Sequence, residues 1–138
     1  MSRSRRWTIP GRDGPPEVLK VEHPQGGDDT RKWGPPYLRD AAGRETRESA
    51  YYLAANRGKR SLAIDFSRTE GQALVRQLAT QADVLIENFK VGGLARYGLG
   101  YDELSAVNPR LVYLSISAFG QDGPDAAKPG YDAMIQGM

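Results

Sequence analysis

The sequence predicts an α/β fold in which parallel strands are flanked by helices. After residue 60, short segments typical of strands alternate with segments whose apolar residues recur at helical spacing. This alternation is typical of a parallel sheet joined by right-handed crossovers. The 138 residues correspond to one domain and allow a core, since a chain of this length buries roughly two-thirds of its unfolded surface.

The first third of the chain is predicted to contain little regular structure. Residues 1–16 are rich in Arg, Pro and Gly, and we expect a disordered basic arm there. Residues 18–22 predict a short strand. Residues 25–47 contain many Gly, Asp and Pro residues and predict a long loop, a kind of segment that is more often functional or disordered than neutral. The folded domain is therefore expected to span residues 17–138.

A helix, a strand and a second helix are predicted next. Residues 49–56 are typical of a helix that stops near Gly58, and residues 61–66 are typical of a strand. Thr69 and Gln72 fit a capping box, in which the Thr side chain caps the start of a helix and Gln72 reaches back. The apolar residues of that helix form one stripe at helical spacing: Leu74, Val75, Leu78, Ala79 and Ala82.

The last elements follow the same alternation. The continuous apolar run over residues 84–86 predicts a strand buried on both faces of a parallel sheet. A helix is predicted from Asp102 to a point before Asn108-Pro109, because the residue before a proline disfavours helical geometry. Residues 111–117 predict a further strand, and another helix is expected from Gly130 onward.

Composition excludes several classes of site. The chain has no Cys, which excludes disulfides, thiolate metal sites and a Cys nucleophile. It has one His, His23, which excludes a zinc site with several His ligands, and no metal cofactor is expected. No apolar run approaches a membrane span, and no signal-peptide core follows the basic start. We expect a cytoplasmic protein with no membrane partner, and mitochondrial import is the alternative because of Arg3, Arg5 and Arg6.

Charge is unevenly distributed along the chain. Residues 1–60 carry 13 Lys or Arg against 8 acidic residues, whereas residues 61–138 carry 6 against 9. A basic first half suits an anionic partner or a solvated arm. Nucleic acid is not the expected partner, because no aromatic residue except Trp7 accompanies the arginines of the arm and no nucleic-acid fold signature is present.

The residues that follow each predicted strand are the first candidates for a binding site. In open α/β sheets, ligands bind beyond the carboxyl ends of the strands. The residues at those positions include a His, two Lys, an Asn and aromatic rings, which could together hold a nucleotide or could be ordinary loop residues: His23, Asp65, Phe66, Ser67, Asn88, Phe89, Lys90 and Lys128. Residues 92–100 are rich in Gly but match neither a dinucleotide fingerprint nor a P-loop, although Arg96 within them could bind a phosphate.

Two further groups of residues allow a functional and a structural interpretation. Asp28 and Asp29 could form a paired-carboxylate site, but adjacent side chains usually point apart, which favours a structural turn. Trp33 and Tyr37 flank Gly-Pro-Pro and could line a pocket, but packing of the loop is the favoured interpretation.

A series of short motifs in collinear order resembles the class III CoA-transferases, the group that includes formyl-CoA transferase and carnitine CoA-transferase. The motifs run unbroken from about residue 17 to the end: 17–24, 27–31, 33–36, 56–61, 82–89, 98–101, 108–112, 120–124 and 129–132. Each motif alone is weak, and their order makes the resemblance specific. It implies a Rossmann-like large domain, of which this chain would hold a part truncated at both ends. It also implies an interlocked homodimer and transfer of coenzyme A between an acyl-CoA and a small carboxylic acid.

The resemblance also implies which residues contact coenzyme A. His23 falls where the family often has an Arg beside the adenosine, and Arg96 matches a CoA-binding Arg. Lys128 falls near a basic position that meets the phosphates. The remaining implied contacts lie on the adenine side and on a further CoA-contacting turn: Ile64, Asp65, Phe66, Ser67, Asn88, Phe89 and Lys90.

The sequence departs from the family pattern at both ends. Residues 1–16 stand where the family has a strand and a helix, and the family's catalytic Asp lies beyond Asp132, which is not that residue. In the family, that carboxylate attacks the acyl-CoA thioester and then carries CoA as an aspartyl thioester. We therefore expect an inactive fragment of such an enzyme. The alternatives are a non-catalytic CoA- or nucleotide-binding module, a nucleic-acid-binding protein, or a product that does not fold stably.

Overall fold

The computed structural model describes residues 16–131 and 136–137, which divide between two compact units. The first unit is Met1–Ile64 and the second is Asp65–Met138. The arm predicted for residues 1–16 lies outside the described residues except for Pro16, and so does most of the helix predicted from Gly130. Within the described part of the chain, no helix has the length and apolar character needed to cross a lipid bilayer.

The first unit combines a parallel strand pair with a small antiparallel hairpin. Strand β1, Leu19–Glu22, pairs in parallel with β4, Arg60–Ala63, so that Leu19 lies opposite Arg60 and Glu22 opposite Ala63. Strands β2, Tyr37–Arg39, and β3, Glu45–Ser49, form the hairpin, and helix α1, Ala50–Asn56, follows directly. A short 3-10 helix, Asp29–Lys32, precedes the hairpin.

The hairpin and the 3-10 helix correct the prediction of a structureless loop over residues 25–47. Both strands are short, and β3 reads Glu-Thr-Arg-Glu-Ser, without the alternation of apolar and polar residues that predicts a strand. Their pairing depends instead on backbone hydrogen bonds and on the turn at Gly43, which has a φ of +77°. Such a turn can be recognised only once the strands on both sides of it are known.

Helix α1 agrees with its prediction because its capping residue is encoded locally. The Ser49 hydroxyl accepts a hydrogen bond from the Tyr52 N–H at 3.0 Å, and the same hydroxyl donates to the Thr30 carbonyl at 2.6 Å. Ser49 is fully buried, so this single side chain ties the helix start to the 3-10 helix. Gly58 follows the helix end with a φ of +75°, a conformation that favours glycine.

The second unit contains two helices and a parallel strand pair. Helix α2 is Thr69–Ala79, strand β5 is Val84–Glu87, helix α3 is Tyr101–Val107 and strand β6 is Val112–Ser115. Strands β5 and β6 are parallel, with Val84 opposite Val112. The parallel pairs and intervening helices confirm the predicted α/β class. The buried core of this unit is apolar: Ala79, Leu94, Leu99, Leu104 and Leu111.

Two details of the second unit differ from prediction. Arg68, not Thr69, is the residue that precedes helix α2, and no side chain caps this helix. The helix begins one residue too early for a capping box, because the Arg68 carbonyl already accepts from the Gln72 N–H at 3.0 Å. Strand β5 is also not buried on both faces, since Ile86 is 63% exposed and Val112 of the neighbouring strand is 60% exposed. The described residues cover only one face of this strand pair.

A buried Asn closes the gap between helix α2 and strand β5. The Asn108 side-chain Nδ2 donates to the carbonyls of Ala79 and Ala82, each at 2.9 Å, and its Oδ1 accepts from the Arg110 N–H at 3.2 Å. The carbonyls at a helix end have no partner within the helix. Asn108 therefore supplies a donor for the Ala79 carbonyl, 29 positions earlier in the chain, and for the Ala82 carbonyl, 26 positions earlier.

Candidate functional site

Three aromatic rings bring together loops of the second unit that are distant in sequence. The Phe66 ring centroid lies 5.7 Å from that of Phe89 at 86° and 5.5 Å from that of Tyr97 at 72°. Both are edge-to-face contacts, the arrangement that aromatic quadrupoles favour. Phe66 precedes α2, Phe89 follows β5, and Tyr97 lies in a 3-10 helix, Ala95–Tyr97. The cluster therefore places two sequence-predicted site residues, Phe66 and Phe89, side by side.

Arg96 lies beside this cluster and is exposed. Its guanidinium carbon stands 4.6 Å from the centre of the Tyr97 ring, within the range of a cation–π contact. The ring covers a face of the guanidinium, whereas the N–H donors point outward in the guanidinium plane. An arginine held in this way suits bidentate binding of a phosphate.

The turn after Arg96 is fixed by backbone geometry and by an arginine of helix α2. Gly98 has a φ of +63°, and its N–H donates to the Ala95 carbonyl at 2.8 Å. Arg76 donates from Nε to the Gly98 carbonyl at 3.1 Å and from Nη2 to the Tyr97 carbonyl at 3.2 Å. The guanidinium lies so close that a Cβ on Gly98 would stand 2.6 Å from its Nη2. Sequence analysis did not select Arg76.

Asp65 and Ser67 form a tight turn around Phe66. The Ser67 N–H and hydroxyl both donate to Asp65 Oδ1, at 3.0 and 2.6 Å. Helix α2 can approach this turn because its residue 71 is a glycine: a Cβ there would lie 2.6 Å from the Asp65 carbonyl carbon. Asp65 and Ser67 thus fix the backbone at Phe66. Ile64, the other residue predicted for the adenine side, is buried in the first unit, where its N–H donates to the Glu22 carbonyl at 3.0 Å.

The turn after strand β5 presents its side chains outward. Asn88, Phe89 and Lys90 are all exposed. The backbone is held from within, since the Phe89 N–H donates to Glu87 Oε2 and the Gly93 N–H donates to the Lys90 carbonyl, both at 2.7 Å. A fixed backbone with exposed amide, aromatic and ammonium groups can take part in ligand binding at small entropic cost.

The remaining two predicted contacts, His23 and Lys128, belong to different units, the first and the second respectively. His23 is exposed in the first unit, and its Nδ1 accepts from the Gln25 N–H at 3.1 Å. Lys128 is exposed in the loop after β6 and forms an ion pair with Asp125 at 2.6 Å. The structure therefore brings together Phe66, Phe89 and Arg96 of the predicted residues. The contacts proposed for His23 and Lys128 remain predictions.

The first unit contains a charge network around Glu22 that sequence analysis missed. The buried Glu22 carboxylate accepts from the Asp28 N–H and the Ser61 hydroxyl, both at 3.1 Å. Lys20 and Arg31 each place a nitrogen 3.6 Å from it. The available signal was the alternation of Lys20 and Glu22 in a short strand that precedes a loop rich in charged residues. This network fixes the loop after β1.

Asp28 and Asp29 point apart, as predicted. Asp28 accepts from the Thr30 N–H at 2.8 Å and pairs with Lys20, whereas Asp29 pairs with Lys32 at 3.1 Å. Burial opposes ionisation of Asp28, but the hydrogen bonds from Lys20 and Thr30 outweigh it and lower the pKa of this carboxyl to about 2. The pair is a structural turn.

Trp33 and Tyr37 each contact a neighbour within the first unit, although Trp33 stays 57% exposed. The Trp33 ring lies 5.0 Å from the Tyr51 ring at 53°, and the Tyr37 hydroxyl donates to the Lys32 carbonyl at 3.0 Å. Both residues hold the loop in place. Among residues 16–131 and 136–137, no group of three or more His, Asp or Glu side chains is placed to bind a metal ion.

Comparison with known proteins agrees with the resemblance seen in the motifs. The model of CoA-transferase family III matches residues 16–138. A succinate–glutarate CoA-transferase of Agrobacterium fabrum is 57% identical over 122 residues, which are 88% of this chain and 30% of that protein. An acetyl-CoA:oxalate CoA-transferase of Acetobacter aceti is 42% identical over 121 residues, 88% of this chain and 29% of that protein. The chain thus spans about 30% of the length of these curated relatives.

Solved structures show the same relationship. A CAIB/BAIF family protein from Brucella suis superposes with a TM-score of 0.79 at 55% identity, over 88% of this chain and 31% of that one. A hypothetical protein from Mycobacterium tuberculosis gives a TM-score of 0.71 at 37% identity, over 84% of this chain and 30% of that one. Because the family model matches residues 16–138, which include every described residue, the chain belongs to CoA-transferase family III.

Proposed function

We propose that the second unit binds the nucleotide end of coenzyme A as part of a class III CoA-transferase. The observation that carries this proposal is a chain of contacts: the Phe66 ring contacts the rings of both Phe89 and Tyr97, and the Arg96 guanidinium lies over Tyr97. Exposed aromatic surface suits stacking of adenine, and an arginine beside it suits a phosphate. Coenzyme A offers both groups at one end of the molecule.

The charges of the ligand fit the side chains of this cluster. Coenzyme A carries a 3′-phosphate and a pyrophosphate, each of which is bound best by charge-assisted hydrogen bonds. Arg96 supplies a planar fork of donors, and Lys90 supplies an exposed ammonium on the turn that holds Phe89. Asn88 adds an amide that can donate and accept, as recognition of a base or ribose requires.

The group-transfer step of the intact family needs a carboxylate nucleophile in addition to this binding surface. The resemblance places that Asp beyond Asp132, outside these 138 residues. We therefore propose that these residues bind CoA without transferring it, and that transfer requires the remaining part of a family III domain. The names of the relatives suggest two donor–acceptor pairs, succinyl-CoA with glutarate and acetyl-CoA with oxalate.

Calorimetric titration of the purified 138-residue chain with CoA tests the binding proposal. We expect saturable binding and an upward shift of the unfolding temperature with millimolar CoA, since a ligand that binds only the folded state stabilises it by mass action. Arg96→Ala should weaken binding by about tenfold or more, because a hydrogen bond to a charged group contributes roughly 1.5–3 kcal/mol.

Arg110→Ala is the matched control, because Arg110 is an exposed arginine of the same unit and its loss changes the net charge equally. We expect this variant to bind CoA like the wild type. If both variants weaken binding equally, the binding of CoA reflects general electrostatic attraction and not a specific site at Arg96. If the wild type does not bind CoA, the proposal is refuted. Formation of glutaryl-CoA from succinyl-CoA and glutarate by the chain alone, followed by chromatography, would contradict the proposed lack of transfer.

A further inference from the structure

Arg76 holds the backbone on which Arg96 is mounted. It lies half-buried on helix α2 and donates to two consecutive carbonyls, those of Tyr97 at 3.2 Å and Gly98 at 3.1 Å. Its guanidinium therefore holds the carbonyls of the two residues that directly follow Arg96. Arg76 is separated from Tyr97 by 21 positions and from Gly98 by 22, so this is a tertiary contact between a helix and a loop.

These carbonyls need an external partner because the 3-10 helix that carries Arg96 is very short. It contains three residues, and its own backbone bonds run from Tyr97 N–H to the Leu94 carbonyl at 2.9 Å and from Gly98 N–H to the Ala95 carbonyl at 2.8 Å. The last carbonyls of a helix lack intrahelical hydrogen-bond donors, and a cation is favoured at that end. Arg76 satisfies both requirements with one planar group.

The orientation of the Tyr97 backbone in turn sets the place of Arg96. The Tyr97 ring packs edge-to-face against Phe66 and carries the Arg96 guanidinium at 4.6 Å. If the Tyr97 peptide can rotate, the ring loses its fixed position and the guanidinium loses its support. A phosphate-binding fork depends on such support, since a displacement of about 1 Å at a binding group can cost ~100-fold in its effect.

We propose that Arg76 is a positioning residue for Arg96, acting through the carbonyls of Tyr97 and Gly98 to fix the guanidinium for a phosphate of coenzyme A. This inference rests on the proposed function of the second unit. It assigns to Arg76 no contact with the ligand, so its effect must disappear when Arg96 is absent.

A double-mutant cycle on the 138-residue chain tests the inference by calorimetric titration with CoA. We expect Arg76→Ala to weaken binding about tenfold, as for one charge-assisted hydrogen bond lost at the ligand. In the Arg96→Ala background the same change should alter the dissociation constant by less than about twofold, which is the signature of two residues acting as one unit. Arg110→Ala again controls for loss of a positive charge.

Arg76→Lys separates the fork from the charge. Lysine keeps the positive charge but presents a single ammonium, which cannot reproduce the planar pair of donors. We expect Arg76→Lys to bind as weakly as Arg76→Ala. Recovery of wild-type affinity by the lysine variant would overturn the inference in favour of general electrostatic attraction.

The ligand-free chain gives an independent readout by NMR. Stacking on Tyr97 shifts the Arg96 side-chain resonances upfield through the ring current, and we expect Arg76→Ala to move them toward random-coil positions. Unchanged Arg96 shifts, or additive losses of affinity in the cycle, would refute positioning while the binding proposal stands. Failure of the wild type to bind CoA, by contrast, refutes the proposed function and this inference with it.

Discussion

Replacing Asn108 by alanine removes three hydrogen bonds from the interior of the second unit. The side chain is only 9% exposed, and it donates at 2.9 Å to the carbonyls of both Ala79 and Ala82 while accepting from the Arg110 N–H at 3.2 Å. Ala79 belongs to the buried core, so water cannot readily replace the lost donor. We expect Asn108→Ala to reduce the free energy of unfolding by about 3 kcal/mol, since it removes three hydrogen bonds and each contributes roughly 1 kcal/mol.

Urea unfolding followed by far-UV circular dichroism measures this loss. Asn88→Ala is the matched control, because Asn88 is an exposed Asn of the same unit, and we expect its loss to change the stability by less than about 0.5 kcal/mol. Equal stabilities of the two variants would refute the tie between α2 and β5.

Asn108→Asp makes the same prediction sharper because it preserves the volume of the side chain. The carboxylate would face two carbonyl oxygens in place of a donor. We expect a loss at pH 7 at least as large as that of the alanine variant, with partial recovery as the pH falls toward about 4, where a protonated carboxyl can donate again. A stability independent of pH over this range would count against the donor role.

Two further predictions concern the turns that precede the helices. The pKa of Asp28 is lowered to about 2 because its hydrogen bonds with Lys20 and Thr30 outweigh the effect of burial. The ionised carboxylate therefore stabilises the fold fully above the unfolded pKa of 3.8, and this stabilisation is lost as the pH falls through about 2. Asp28→Asn should cost about 1 kcal/mol at pH 7 and flatten the acid limb of thermal unfolding, and an unchanged limb would contradict this. Gly71→Ala should lower the melting temperature despite its better helix propensity, because the Cβ would lie 2.6 Å from the Asp65 carbonyl carbon and 3.0 Å from the Phe66 Cα; an equal or higher melting temperature would show that the turn yields.

The elements predicted well from sequence are those whose signals are local. Helix α1 ends beside Gly58, and helix α3 stops before Pro109, because these residues act within one turn of their own position. The hairpin of β2 and β3 was missed because its strands are polar and their stability comes from pairing with each other. Pairing between two polar segments leaves no local pattern in the sequence of either segment.

The candidate site was predicted in part for the same reason. The rule that ligands bind after strand ends selected Phe66 and Phe89, and the structure places these rings in contact. Tyr97, which joins them to Arg96, was not selected, because it lies in a Gly-rich turn far from any strand end. Arg76 could not have been selected, since its role depends on where a helix passes a loop 21 residues away.

Burial separates two kinds of residue among the motifs that carry the family resemblance. Asn108 and Leu99 are buried and hold backbone in place, whereas Phe89 is exposed, as is Arg96 in the turn between two motifs. Substitution of the first kind should therefore change stability before binding, and substitution of the second kind should change binding before stability. Arg76 lies outside the motifs, yet it donates hydrogen bonds to backbone at the edge of one of them. A substitution of Arg76 should therefore change ligand binding by loosening this backbone. On the proposed positioning role, a change at residue 76 alters the affinity for coenzyme A while every motif stays intact.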